Sequence, residues 1–334
     1  MKFDLTRQTF TQTLFFTSLV MFIYWGTIFV NGANLGIADD LSGVMPIGIS
    51  INNFSRNFIL ISSIVTIALQ LFNALYLSRI FIRNVVYAKN THVAAMLFIL
   101  ISIGSPATNQ ELISQLVTTL SLFTLEGILN VKKRINSSHN FFLSSIFIAL
   151  ASLIYIPAAA LFIPIISIFF ITNRFEIREF LAALGGFLIP PIFYSYYLWI
   201  TENDFLKLIH EINHAILSSF SIISIDAIAK LNIFNIISIV VIIAVMLFSL
   251  IYFLINIQTI RSKTIYSYSL FWVWMITMIA IIVFFMSTLS IIVPLCAVSA
   301  SVILAFFFNM YTRRIVTNII FVVLVILTTL ANII

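Results

Sequence analysis

The chain has 334 residues, of which 62% are hydrophobic and only 8% charged, with a net charge of +6. Soluble globular chains carry about 25% charged residues. The composition therefore argues against a water-soluble domain and for a polytopic membrane protein. Long uninterrupted apolar runs, rather than alternating ten-residue segments, select helices over a β-barrel. The basic excess does not point to nucleic acid. In the topology below, all but Arg56, Lys207 and Lys230 of the 17 Lys and Arg fall on one side, as positive-inside sorting requires. The single cysteine, Cys296, rules out an intramolecular disulfide and leaves the redox compartment unread.

Span one is expected over Leu14–Val30, running inside to outside and remaining uncleaved for want of a small-residue cleavage site. The first outer loop, 31–57, follows. It carries Asp39-Asp40, the only adjacent carboxylates in the chain, and its mildly apolar second part, Leu41–Phe54, should lie in the interface. Span two covers Phe58–Ser78, with Asn73 expected to bond a neighbouring helix. Span three, Thr91–Ile103, reaches only about 20 Å, against a bilayer core of about 30 Å. It must borrow length from Val85–Asn90 or sit shielded by its neighbours. Span four, Glu111–Val131, ends at Lys132-Lys133-Arg134, and its Glu126 is expected to pair with Lys132 or Lys133.

As one helix Phe141–Ile171 would measure about 47 Å, so two short crossings broken at Ile156-Pro157 are expected. This also keeps Arg174 and Arg178 inside. Span seven, Phe180–Ile200, contains Gly185-Gly186 for close packing and Pro190-Pro191 for a kink, and ends in an aromatic belt that includes Tyr197. The second outer loop, 201–232, is polar. Span eight covers Ile233–Ile255, and the uncharged run Thr264–Thr312 is long enough for two crossings. Span eleven is Ile315–Ala331. The fold class is thus an all-α polytopic transmembrane bundle of about eleven spans, in one domain over 1–334, N-terminus inside and C-terminus outside.

Two constellations could carry chemistry. Asp39 and Asp40 at a bilayer rim suit general-base catalysis, because a like-charged neighbour and partial burial raise a carboxylate pKa; a solvated turn is the plainer reading of the same residues. His210-Glu211-Ile212-Asn213-His214 matches H-E-x-x-H, which on a helix could bind zinc, although no third ligand is evident and an amphipathic surface helix explains the pattern equally. Few spans carry a charge near their middle, which argues against an ion-coupled carrier.

The segments Leu71–Arg83 (LFNALYLSRIFIR), Ala151–Pro157 (ASLIYIP), 174–179 (RFEIRE) and Gly185–Pro191 resemble a family of bacterial inner-membrane proteins of uncharacterised activity. The order of spans and loops, with acids in the first outer loop and the other large outer loop after span seven, resembles the GT-C type glycosyltransferases. That resemblance implies transfer of a sugar from a polyprenyl-phosphate donor to a lipid or glycan acceptor at the outer face. It makes Asp40 the base, Asp39 its modulator, and Arg56 and Lys207 the cations for the donor phosphate. His210, Glu211 and Tyr197 become candidates for substrate contact, and neither metal nor cofactor is required. A non-enzymatic membrane subunit or lipid carrier, with a protein partner of unknown identity, is the alternative; a zinc hydrolase is the third reading.

Overall fold

The computed structural model describes residues 10–30, 41–84, 92–103, 112–131, 137–172, 176–220, 233–285, 289–311 and 314–333. Asp39 and Asp40 lie outside them. The described residues are helical, with one isolated bridge between Val44 and Tyr155 and no β-strand. In chain order the helices are α1 (Phe10–Val30), α2 (Pro46–Asn57), α3 (Ile59–Asn84), α4 (Val93–Ile103), α5 (Leu112–Asn130), α6 (Ser138–Ile154) and α7 (Phe162–Ile171). Then come α8 (Ile177–Glu202), α9 (Lys207–Ser219), α10 (Ile233–Ile255), α11 (Ser262–Phe284), α12 (Leu289–Met310) and α13 (Arg314–Ile333). Six of them (α3, α5, α8, α10, α11 and α12) are long and apolar enough to cross a membrane.

The centre of the bundle is made by α4 and α12, which pack against each other. Both are apolar around their whole circumference. Val93 to Leu100 and almost all of Ile291 to Phe308 are buried, as expected for helices with no polar face to offer water. The short α4 is shielded by α1, α3, α12 and α13; residues 85–91 lie outside the described residues. Helices α8 and α10 instead leave large apolar side chains exposed along their length, among them Leu181, Phe193, Val240, Leu247 and Ile251. Apolar surface on this scale fits lipid, not water.

Between helices the glue is polar and small. Asn73 of α3 donates from Nδ2 to the Gln115 carbonyl oxygen at 3.1 Å and to Gln115 Oε1 at 3.2 Å, and the Thr119 hydroxyl donates to Asn73 Oδ1 at 2.8 Å. The expected helix-bridging role of Asn73 is met by this pairing of α3 with α5. Interhelical hydrogen bonds in membranes average about 0.6 kcal/mol each. Replacing Asn73 by Leu should therefore lower stability by about 1–2 kcal/mol, seen as an earlier midpoint of denaturation in detergent. An unchanged midpoint would deny the network any structural part.

Glu126 has two partners on α3. Arg83 donates to its Oε1 at 3.1 Å, and the Tyr76 hydroxyl donates to its other oxygen. Lys132 and Lys133 lie outside the described residues. The pairing of α3 with α5 brings Arg83 and Tyr76 to Glu126 across more than forty residues of sequence, a relation no local spacing encodes.

The region of Phe141–Ile171 folds back on itself. Helix α6 stops where Tyr155 adopts an extended backbone, Pro157 begins a 3-10 segment over Ile156–Leu161, and α7 then returns. The Phe141 ring, near the start of α6, stacks on Phe169, near the end of α7, with centroids 4.8 Å apart. Helix α8 packs along α6, and the contact is close because Gly186 lies against the Phe142 carbonyl. Gly185, by contrast, has open space around it. Pro190 and Pro191, where a kink is expected, lie inside α8, which runs continuously from Ile177 to Glu202. A helix flanked by packed neighbours tolerates proline, because surrounding groups compensate for the lost bond.

The helix ends sort into two sets. The ends of α3 and α5 and the starts of α6, α8 and α11 gather at one end, where Lys263 Nζ reaches the Arg83 carbonyl at 3.3 Å and the Tyr266 hydroxyl donates to the Ile128 carbonyl at 3.2 Å. This end carries Arg79, Arg83, Arg261 and Lys263, and is called the basic end below. The opposite ends of α6, α8 and α11, with α2 and α9, form the loop end.

Candidate functional site at the loop end

The segment that follows α1 is described from Leu41 onward. From there it is fixed at once. The Val44 amide donates to the Leu41 carbonyl at 3.1 Å, closing a turn. The Met45 amide donates to the Ile154 carbonyl and the Ile156 amide to the Gly43 carbonyl, each at 3.0 Å. These two bonds strap the segment onto the bend of the α6–α7 hairpin, whose Tyr155 is fully buried. Gly43 has φ of +71°, which an L side chain rarely adopts, and a Cβ there would also come within 2.9 Å of Ser219 Cβ on α9. Helix α9 thus touches the segment before α2 at this glycine.

Helix α2 is amphipathic. Its face of Gly48, Asn52 and Ser55 is buried against α3, α5 and α6, while Ile49, Phe54 and Arg56 are exposed. Helix α9 is amphipathic too. Leu208 and Ala215 join Met45, Leu153 and Leu198 in a small core separate from the main one. Glu211, between those two on the same face, is mostly covered, whereas His210 and His214 are exposed. Among the described residues no group of three His, Cys, Asp or Glu is placed to hold a metal. In the H-E-x-x-H segment of α9 the glutamate, alone of the three, is turned toward the protein.

Lys207 is paired with Glu202, the last residue of α8, and lies 3.9 Å from Glu211. The hydrogen bond to Glu202 pushes the Lys207 pKa up. Two carboxylates therefore face Lys207, one of the cations expected to meet a donor phosphate. Arg56, exposed at the end of α2, makes no ion pair among the described residues and keeps its charge available. Tyr197 is exposed and stacks on Tyr194 with centroids 6.2 Å apart; Tyr194 packs against the small core that holds α9. The structure thus brings Lys207, Glu211 and the Tyr194–Tyr197 pair to one rim, with Glu202 as a member that the sequence did not single out.

One oxygen of Glu211 is buried with no hydrogen-bond partner among the described residues. Desolvation raises its pKa, against the pull of Lys207. A raised folded-state pKa means that the folded chain holds this proton more tightly than the unfolded chain, so stability falls as pH rises through and above the ordinary carboxylate range. Glu211→Gln should remove that pH-dependent increment and raise stability near neutrality by up to about 1 kcal/mol. Melting curves across the acid range test this: parallel pH profiles for both proteins would refute it.

Together these features define an all-helical chain with several helices able to cross a membrane and a loop-built rim at one end. Comparison of the chain with protein-family models, curated proteins and solved structures finds no match in any of the three.

Proposed function

We propose that the chain is a multi-pass membrane glycosyltransferase of GT-C kind, moving a sugar from a polyprenyl-phosphate donor to a lipid or glycan acceptor at the outer face. The observation that carries this reading is the strap at Gly43–Met45. It ties the segment that leaves Asp39-Asp40 to the hairpin bend and to α9, so that both outer loops contribute to one surface. The reading assigns about eleven crossings, with the N-terminus inside and the C-terminus outside, in a bacterial inner membrane. Six long apolar helices and five shorter apolar helical segments support that count. The gathering of Arg79, Arg83, Arg261 and Lys263 at the opposite end supports the orientation.

In this reading Asp40 takes the proton from the acceptor hydroxyl as the sugar carbon leaves the donor phosphate, and Asp39 raises the basicity of its neighbour. Arg56 meets the departing phosphate; a guanidinium suits this by its forked donors. Tyr197 offers an aromatic face to the sugar, while Lys207, paired with acids, positions Glu211 and leaves the phosphate to Arg56. The exposed aromatic and apolar side chains around the rim, including Tyr196, Trp199, Phe205 and Leu206, suit a headgroup-level surface where a lipid-borne donor arrives. The test is to replace Asp39 and Asp40 by Asn singly and follow the lipid-linked glycans of the producing cell. Loss of one glycan product is expected for Asp40→Asn, and unchanged glycans in both variants would end the catalytic reading.

A further inference from the structure

The cavity that stands out lies at the basic end, away from the rim described above. It has a volume of about 430 Å³ and is bounded by the end of α5, the starts of α6, α8 and α11, and the end of α7. Helix α6 alone spans about 25 Å, so this cavity and the loop-end surface are separated by most of the bundle. Its polar wall is Glu179, with Ser137 and Tyr266. Its apolar wall includes the stacked rings of Phe141 and Phe169.

Glu179 is only 3% exposed. The Ser137 hydroxyl donates to its Oε1, and no described cation pairs with it. A carboxylate can accept about four hydrogen bonds, and a buried one is costly unless it is paired. A charge at a membrane span's end that faces a cavity is a functional candidate by default. The chemistry of the walls decides which ligand fits. A carboxylate repels anions, while aromatic faces attract cations. The volume falls in the range of small-molecule sites, roughly 300–1,000 Å³.

We propose that this cavity binds an ammonium group on a short apolar stem, the cation held by Glu179 and the stem lying against Phe141, Phe169 and Ile168. The same chemistry is offered by an aminoethyl lipid headgroup and by a free alkylamine. A purely structural Glu179 would only stabilise the first turn of α8 through the helix dipole, which predicts no ligand at all.

Purified full-length protein in nanodiscs of phosphatidylglycerol would be titrated calorimetrically with hexylammonium and, as the neutral counterpart, hexan-1-ol. Hexylammonium should bind at least about tenfold more tightly, the scale of one charge-assisted bond. Glu179→Gln keeps an acceptor for Ser137 and should remove that advantage while leaving hexan-1-ol binding unchanged. Ile168→Trp fills the cavity and should abolish binding of both. Size-exclusion profile and helicity identify which variants are folded, and either folded variant suffices to decide. Equal affinity for the two probes, or undiminished hexylammonium binding by folded Glu179→Gln or folded Ile168→Trp, would overturn the proposal. Nanodiscs containing phosphatidylethanolamine separate the sources: weakened hexylammonium binding supports the lipid headgroup, and unaltered binding supports a free amine. Because the readout is binding at the basic end, it stands or falls independently of sugar transfer at the loop end.

Discussion

Gly186→Val is expected to leave little folded protein, whereas Gly185→Ala, one residue away, should fold normally. At Gly186 an added Cβ would stand 2.3 Å from the Phe142 carbonyl oxygen and 3.1 Å from both the Phe142 carbonyl carbon and Ser145 Cβ. The obstacle is mainly backbone, so no rotamer change relieves it, and α8 must move away from α6 along the whole contact. Overpacking typically costs about 1–3 kcal/mol. The upper part of that range, or more, is expected here, because valine adds two methyl groups beyond the Cβ that already clashes. At Gly185 nothing lies within 4 Å, and alanine is favoured over glycine in a helix by up to about 1 kcal/mol. Yield of monodisperse protein and thermal midpoint in detergent measure both. Equal midpoints for the two variants would show that α6 and α8 do not approach as described.

Asp40→Asn is expected to lower sugar transfer by about 10²–10⁴-fold, the usual worth of a general base, with folding unchanged. The substitution keeps size and hydrogen bonding but removes the basic lone pair. Its site precedes Leu41, where the chain is strapped to the hairpin bend and, at Gly43, meets α9. Asp39→Asn should cost less, because it removes only the neighbouring negative charge that raises the basicity of Asp40. Its pH–rate profile should accordingly shift to lower pH, since the base then loses its proton more readily. The rates should be taken with membranes, a polyprenyl-phosphate sugar and an acceptor glycan, across pH. Equal rates for wild type, Asp39→Asn and Asp40→Asn would remove the base from the reaction. A lowered rate caused by misfolding would show as a lost midpoint, which the thermal measurement detects.

Some turn and helix positions were readable because their signals are local. Proline at 157 stands in the bend after α6 and glycine at 43 in the strap laid against it, although Pro190 and Pro191 show that proline need not end a helix. The amphipathic spacing of Leu208, Glu211 and Ala215 is a property of thirteen consecutive residues in α9. What local signals do not carry is partner identity. Glu126 is met by Arg83 and Tyr76 of α3, more than forty residues away, because α3 and α5 lie side by side. That Glu202 and Glu211 would flank Lys207 likewise shows only in the structure. Glu179 gave no sequence signal beyond an acid close to the start of an apolar run, and acids at helix starts are common for dipole reasons alone.

The amino-acid sequence determined that this chain is apolar and helical, and where most of its helices begin and end. Those properties follow from hydrophobic run length, from proline and from charge, all of which act over a few turns. Only the tertiary structure decided that the short α4 is central, that the strap before α2 meets both the α6–α7 bend and α9, and that Glu179 faces a cavity. These are relations between helices distant in sequence, set by which faces pack best, and shape complementarity between distant surfaces has no period along the chain.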